Sequence, residues 1–236
     1  MTSMMRLLPI FLAALLPCPG FAADAASAVT PGDVLERAIA AFAKVNDYTC
    51  ILERKESFNG SIKAQKNIRF KFMKPGSYSM RWDGEMVEKA VYVAGQNDGK
   101  MLVRGTKVLD FIRVGVDPAL ALKYGRHTIM EADIGHILQL FAQNYQKAAA
   151  DPQAHITYEG DAMLDGRPVW RFKALLPAHR GYYGQRILID IDQGWVLPVR
   201  MEVYGWQNEF LEMYAYSKLV LNPGLAAGDF DIGKPE

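Results

Sequence analysis

The stretch that decides the fold runs from Lys66 to Trp82 and reads K-N-I-R-F-K-F-M-K-P-G-S-Y-S-M-R-W. Apolar and polar residues alternate in its first half, and the alternation resumes after the turn at 74–76, which is the period of a β-strand with one buried face. A Pro-Gly pair is typical of a turn, because Pro fixes φ and Gly leaves it free. The stretch therefore predicts a hairpin with one aromatic, methionine-containing face and one basic face.

The register of this hairpin follows from the alternation. A slip of one residue would turn every side chain to the opposite face, so the two apolar sets share a face only in certain registers. We expect Phe72 to pair with Tyr78 or Met80, and Phe70 to pair with Met80 or Trp82. Two interpretations stay open for the side chains of Phe70, Phe72, Tyr78, Met80 and Trp82. They fill the core, or they line an apolar cavity that binds an amphiphile. We predict that they line the cavity.

The N-terminal segment resembles a secretory signal. Arg6 precedes an apolar run at 7–16, and small residues follow it near position 23. The run is too short to span a bilayer, which favours a cleaved signal peptide over an anchor. We predict a signal peptide at 1–23, a flexible tether at 24–29 and a single domain at 30–236.

Charge and cysteine content exclude several classes of protein. The chain has 27 basic and 26 acidic residues, and removal of the segment containing Arg6 leaves 26 of each. A neutral exported protein has no general attraction for nucleic acid, so we predict no nucleic-acid binding. Cys50 is the one cysteine outside the predicted signal, and we expect it to be buried in a strand as a small hydrophobic residue.

Two helices interrupt a long series of predicted strands. The first helix begins at Thr30-Pro31, where Thr is a good N-cap and Pro suits the first turn. The second begins with a capping box at Thr128–Glu131 and ends before Pro152, and a short helical stretch at 118–124 precedes it. Besides the hairpin, the predicted strands are 47–58, 89–94, 100–104, 108–116, 155–160, 168–175, 182–192, 196–204 and 209–221.

The order of these elements predicts the fold. Consecutive antiparallel strands with only two helices favour one sheet over parallel βαβ units. A sheet of about ten strands must curl, and the helices are natural covers for its concave face. We predict a mainly β (α+β) fold, in which a single curved antiparallel sheet forms a half-open barrel covered by two helices on its concave side. The apolar residues of these helices form either permanent core or a movable lid: Leu35, Ile39, Phe42, Ile134, Leu138 and Phe141.

The sequence lacks the patterns of the common catalytic sites. His127, His136, His155 and His179 have no metal-ligand spacing. A nucleophile elbow, a phosphate-binding loop and a CxxC motif are all missing from the sequence. We predict a protein that is not an enzyme and needs no metal and no cofactor.

Several short motifs resemble a known family. Lys74-Pro75 followed by the aromatic strand 78–82, and then Asp98-Gly99-Lys100 before another strand, are similar to the periplasmic carriers that move lipoproteins to the outer membrane, the LolA/LolB-like superfamily. Asp192 followed by Leu197-Pro198 resembles a later strand pair of that superfamily. The resemblance implies a half-open barrel with an apolar cavity for acyl chains and a periplasmic location.

A branch of uncharacterised exported bacterial proteins is more similar still. Val45–Cys50, Leu221–Leu225 and Asp229–Asp231 resemble the two ends of that branch's domain. One departure concerns the carrier itself, whose turn carries an Arg that bonds the lid where this chain has Lys74. A lysine is a point donor and cannot make the forked contacts of an arginine.

These observations lead to two functional hypotheses. The first is an exported, non-catalytic carrier or chaperone that sequesters a lipid, a lipoprotein acyl group or a similar amphiphile. The alternative is an envelope-stress sensor or regulatory protein of the same fold that binds a membrane-anchored partner. We expect a monomer that binds a lipid or acylated protein, or an envelope protein, and has at most peripheral contact with the membrane. A third reading, an envelope-polymer hydrolase, requires convergent polar groups in a pocket, which the sequence does not indicate.

Overall fold

The computed structural model describes residues 29–105, 113–178 and 181–233. The predicted signal peptide, most of the tether, residues 108–112 of one predicted strand, and His179 lie outside these residues. The described part contains two α-helices and eleven β-strands. They are α1 (Pro31–Ala43), β1 (Asp47–Phe58), β2 (Ser61–Met73), β3 (Ser77–Arg81), β4 (Val87–Val93), β5 (Met101–Gly105), β6 (Arg113–Val116), α2 (Ile134–Ala149), β7 (His155–Leu164), β8 (Arg167–Leu175), β9 (Arg186–Asp192), β10 (Pro198–Tyr204) and β11 (Phe210–Leu221).

All eleven strands belong to one antiparallel sheet. Their order is β6-β5-β4-β3-β2-β1-β11-β10-β9-β8-β7, so β1 pairs with β11 near the middle, and β6 and β7 form the two edges. The predicted hairpin is β2–β3, and its register is confirmed, with Phe72 opposite Tyr78 and Phe70 opposite Met80. The alternation of side chains in the sequence limited the pairing to registers that keep both apolar sets on one face, and the structure has one of the two that we expected.

The sheet curves around the helices. In α1, Phe42 stacks on Phe72 of β2 at 6.2 Å between ring centroids, and the Arg37 guanidinium lies 4.8 Å from the ring centroid of Trp170 in β8. Arg37 and Phe42 are about 7.5 Å apart along the helix axis. Strands β2 and β8 are five places apart, about 24 Å in a flat sheet. One short helix contacts both strands because the sheet is bent, which confirms the predicted half-open barrel with helices on its concave side.

Helix α1 is fixed at both ends by polar contacts. Thr30 is its N-cap, and the Thr30 hydroxyl accepts a hydrogen bond from the amide of Asp33 at 3.1 Å. At the other end, Lys74 Nζ donates to the carbonyls of Phe42 at 3.0 Å and Ala43 at 3.2 Å. A cation near the C-terminal carbonyls of a helix is electrostatically favourable. The lysine at the predicted point of departure from the carriers therefore still contacts a covering helix.

Helix α2 begins later than its capping box predicts. The Thr128 amide does donate to Glu131 Oε2 at 2.7 Å, but the turn that follows is a short 3-10 helix, Met130–Ala132. Asp133 then has an extended backbone and is the N-cap of α2, which begins at Ile134. The predicted end before Pro152 is confirmed, and the predicted short helical stretch is a 3-10 helix at Pro118–Lys123.

Hydrophobic residues are buried on both faces of the sheet. The concave face and the two helices share one large cluster that includes Tyr48, Phe70 and Phe172. On the convex face, Phe230 and Ile232 from the C-terminal segment pack against Val91 of β4 and nearby side chains. The sheet therefore has packed apolar side chains on both faces.

Candidate ligand cavity beneath the second helix

The five hairpin residues predicted to line a cavity lie close together, mainly as core. Phe70, Phe72 and Met80 are 1%, 3% and 1% exposed, Trp82 is buried and Tyr78 is half-buried. The ring of Phe72 lies 5.4 Å from that of Tyr78. Met80 and Trp82 also line a groove of about 290 Å³, and Phe72 and Tyr78 line a second, more open groove beside Lys74. Contact of any of the five with a ligand stays a prediction.

The residues predicted for the lid have different environments. Phe42 is half-buried, and Ile39 is 47% exposed, so Ile39 lies outside the packed face of α1. Phe141 lines a cavity, and its ring lies 6.4 Å from that of Phe172. Movement of either helix as a lid stays a prediction. The buried members of the set are Leu35, Ile134, Leu138 and Phe141.

A mainly apolar cavity of about 340 Å³ lies between α2 and strands β7 to β10. Its volume is roughly eleven times that of a water molecule in the liquid. It falls at the small end of the range for ligand sites. Its apolar walls come from Ile137, Leu140, Phe141, Ile156, Phe172, Ala174, Ile187, Ile189, Met201 and Val203.

The polar part of the cavity lining is a hydrogen-bonded cluster built on Glu212, and we call it the mouth because Tyr183 in it is 44% exposed. Glu212 is 1% exposed, and its Oε2 lies 2.6 Å from His127 Nε2 and accepts from the Tyr183 hydroxyl at 2.9 Å. Arg126 Nε donates to the same hydroxyl at 2.6 Å. A buried carboxylate is expensive unless it is hydrogen-bonded or paired with a cation, and this cluster provides both.

A second buried carboxylate, Glu56, contacts the segment that carries Arg126. Its side chain accepts hydrogen bonds from the Tyr214 hydroxyl and from the Arg126 amide, the latter at 3.0 Å. A Cβ at Gly125 would lie 2.6 Å from Glu56 Oε2, so only glycine lets the chain pass this close to the carboxylate. The segment that carries Arg126 and His127 is thereby held against β1.

Electrostatic interactions shift the pKa values of the cluster. Burial lowers the pKa of His127, but the hydrogen bond and negative charge of Glu212 outweigh burial and raise that pKa above its ordinary value. Burial lowers the pKa of Arg126 as well, and its contacts with Tyr183 and Glu212 again produce a net increase. In contrast, burial lowers the pKa of His136, which keeps that ring neutral near pH 7.

The described residues contain no group of three His, Cys, Asp or Glu side chains that could hold a metal ion. Cys50 is buried. Burial, and to a smaller extent the nearby charge of Asp133, raises the pKa of its thiol. A thiol in that state is a poor nucleophile. Within the same ranges, neither helix has the length and hydrophobicity that crossing a bilayer requires.

Comparison with known structures shows the same class of fold. A crystal structure of MucB matches with a TM-score of 0.51 at 15% identity, covering 86% of this chain and 62% of MucB, so the chain spans less than two thirds of MucB's length. The lipoprotein LppX from Mycobacterium tuberculosis gives a TM-score of 0.49 at 14% identity, with coverage of 86% and 100%. For LprF from Mycobacterium bovis the TM-score is 0.49 at 12% identity, with coverage of 87% and 97%.

Sequence comparison gives the family. A comparison with curated proteins finds no match. A family model, in contrast, covers residues 45–236, which is most of the chain and includes all eleven strands of the sheet. The chain belongs to the family described as Protein of unknown function (DUF1571).

Proposed function

We propose that this protein binds the acyl chain of a lipid, a lipoprotein or a similar amphiphile and shields it from water, as a monomeric carrier or chaperone exported to the periplasm. The observation that carries the proposal is the cavity beneath α2, whose walls are apolar and whose mouth is polar. An amphiphile has the same division into an apolar chain and a polar end. The curved sheet with covering helices supplies the enclosure, and no catalytic step is part of the proposal.

The cavity favours a chain of medium length. A space of about 340 Å³ accommodates roughly ten to twelve methylene-sized groups. Each methylene removed from water contributes ~0.8 kcal/mol, so affinity comes from the chain with little need for specific polar contacts. Met201 in the wall is an unbranched, adaptable side chain, which suits chains of variable shape.

A substitution that fills the cavity tests this proposal. Ala174 in β8 lines the cavity, and Ala174→Phe places an aromatic ring in the space that the chain would occupy. We expect native mass spectrometry to show acyl species on the wild-type protein, either co-purified or taken up from added lauroyl amphiphiles, and binding at least tenfold weaker in the variant. Ala64→Phe, on an exposed position of β2, is the matched control and retains binding.

Two results would contradict the proposal. One is wild-type protein that purifies without acyl species and takes up none of the added amphiphile. The other is equal loss of binding in Ala174→Phe and Ala64→Phe, because the effect would then come from general destabilisation. Circular dichroism and urea unfolding of both variants separate loss of binding from loss of folding.

A second candidate, binding of a membrane-anchored regulatory protein, is favoured by a different surface. The groove of about 290 Å³ beside β3 and β4 is bordered by Met86 and Tyr124, which are 75% and 69% exposed. Exposed apolar residues around a groove are typical of protein contacts. This surface is separate from Ala174, so a partner whose binding is unaffected by Ala174→Phe would support the regulatory function.

A further inference from the structure

We infer that the cavity beneath α2 selects amphiphiles whose polar group is uncharged, such as acyl esters or amides with free hydroxyls, and disfavours free fatty acids and other anionic head groups. This inference rests on the proposed function and adds the class of ligand. It follows from the charges at the cavity mouth and from the side chains there that remain without a hydrogen bond.

Negative charge at the mouth is concentrated in three carboxylates. Glu131 and Glu212 both line the cavity. Glu56 lies directly behind them and accepts from the amide of Arg126. The pKa of Glu131 is lowered: burial opposes this, but its hydrogen bonds with Thr128 dominate, so Glu131 is ionised at neutral pH. An anionic head group would have to approach these charges in a partly enclosed site, where they are weakly screened.

The positive charge at the mouth is already engaged. Arg126 is the permanent cation of the lining, and its guanidinium donates to the Tyr183 hydroxyl and to the carbonyl of Ser57 and lies 3.5 Å from Glu212. His127 is paired with the same carboxylate. Arg126 Nε and His127 Nε2 both face Glu212, and His127 Nδ1 lies 3.7 Å from Glu131 Oε1. An anion that approached either cation would therefore also approach a carboxylate.

The lining itself has no excess of cations. Arg126 and a protonated His127 face Glu131 and Glu212 there. The cations just outside the lining already have partners: Arg54 Nε donates to Gln65 Oε1 at 2.6 Å, and Lys63 Nζ donates to the carbonyl of Tyr124 at 3.0 Å. His136 adds no charge, because burial lowers its pKa. The mouth therefore has no surplus positive charge for an anion.

The lining also offers two neutral polar side chains to a head group. His136 and Asn144 lie two helical turns apart on α2 with Leu140 between them, and all three line the cavity. Both polar side chains are half-buried and have no hydrogen-bond partner among the described residues. An amide offers two donors and an acceptor, and a neutral imidazole offers one of each. This set matches hydroxyl, ester and amide groups.

Two probes with the same acyl chain test the inference. We expect 1-monolauroylglycerol to bind the full-length mature protein at least tenfold more tightly than laurate at pH 7.5, measured by native mass spectrometry and titration calorimetry below the micelle concentration of each. Equal or tighter binding of laurate would overturn the inference and leave the proposed function intact. Binding of neither probe would overturn the proposed function, and the inference with it.

Removal of one carboxylate shows whether charge is the cause. Glu131→Gln keeps an acceptor for Thr128 but eliminates one negative charge from the mouth. We expect this variant to bind laurate at least threefold more tightly, relative to 1-monolauroylglycerol, than wild type does. Glu36→Gln, an exposed position on α1, is the control and leaves both affinities unchanged. Unchanged laurate binding in Glu131→Gln would contradict selection by charge.

Discussion

Asp133 connects the sheet to α2 through a single side chain. It accepts a hydrogen bond from the Tyr48 hydroxyl of β1 at 2.7 Å, and that hydroxyl in turn accepts from the amide of Ile134, the first residue of α2, at 3.1 Å. Desolvation by burial raises the pKa of Asp133 to about 6, although these hydrogen bonds oppose the increase. The contact that fixes the start of α2 is therefore sensitive to mildly acidic pH.

This pKa leads to a prediction about pH. Because the pKa of about 6 in the folded protein exceeds the ordinary value of 3.8, the folded protein binds more protons than the unfolded chain between these values. The contribution of Asp133 to the free energy of unfolding therefore falls as pH rises from about 4 to about 6. One pKa unit corresponds to ~1.4 kcal/mol, so the fall amounts to about 2–3 kcal/mol. We expect Asp133→Asn to flatten this pH dependence in urea unfolding from pH 4 to 7.

The pH dependence of Asp133→Asn needs a control at an aspartate that is exposed. Asp98→Asn, in an exposed turn whose positive φ suits asparagine, should leave the pH dependence as in wild type. A fall in stability that persists undiminished in Asp133→Asn would assign the effect to another group. His127 is such a group, because its raised pKa also gives stability that is lost as pH rises, but only above its ordinary pKa of 6.5.

Only some residues of the candidate site could be predicted from the sequence. Glu212 alternates with Tyr214 and Tyr216 in β11, so its position on the buried face could have been read from the period of the strand. Arg126 and Tyr183 gave no such signal, because both lie outside strands and helices and meet only through the fold. The predicted aromatic hairpin residues are mainly core because α1 packs on them.

Among the elements, the two helices approach each other closely at Gly135. A Cβ at this position would lie 2.6 Å from Phe42 Cε1 and 2.6 Å from Asp133 Oδ2. The first-turn glycine of α2 therefore creates the space into which the α1 aromatic ring fits. Contact between α1 and α2 is what makes them one cover for the sheet.

Gly135→Ala tests the importance of this contact. In an exposed helix the change would stabilise by up to ~1 kcal/mol, but here the clash with Phe42 and Asp133 makes it destabilising by about 1–3 kcal/mol. We expect a lower urea midpoint at pH 7. Gly228→Ala, with no heavy atom within 4 Å of the added Cβ, is the control and changes stability little. A stabilised Gly135→Ala would mean that the Phe42 ring rotates away without cost.

Element boundaries were harder to predict than element types, for identifiable reasons. Strand β7 was predicted to end at Gly160 but continues to Leu164, because this glycine, with φ of 112°, occupies a bulge in the β7–β8 register. The start of α2 was placed too early because Asp133 is held extended by a tertiary contact with Tyr48. Local alternation and capping patterns do not contain contacts between distant segments.

On the scale of the whole molecule, the two faces of the sheet have different roles. The concave face carries the cavity and the helices. The convex face is closed by the C-terminal segment, where Lys89 Nζ donates to the carbonyl of Asp231 at 2.9 Å and Arg104 Nη1 to that of Ile232 at 3.0 Å. The predicted basic face of the hairpin is paired with acids, as in Arg81 with Glu88 at 3.0 Å. It is therefore an ion-paired surface that supports the fold.

This division predicts that stability and ligand binding can be changed separately. Phe230 is buried against Val91 on the convex face, far from the cavity lining in the sheet order, and Phe230→Ala should destabilise by about 3 kcal/mol through the lost burial and the space left behind. We expect the folded variant to bind lauroyl amphiphiles with wild-type affinity.

Val220→Ala, at an exposed position of β11, is the control and should change the free energy of unfolding by less than about 0.5 kcal/mol. Measurement of urea unfolding and lauroyl binding on the same samples shows whether stability changes without a change in affinity. Weakened binding by a fully folded Phe230→Ala protein would show that the convex face controls the shape of the cavity, and the two faces would then act as one unit.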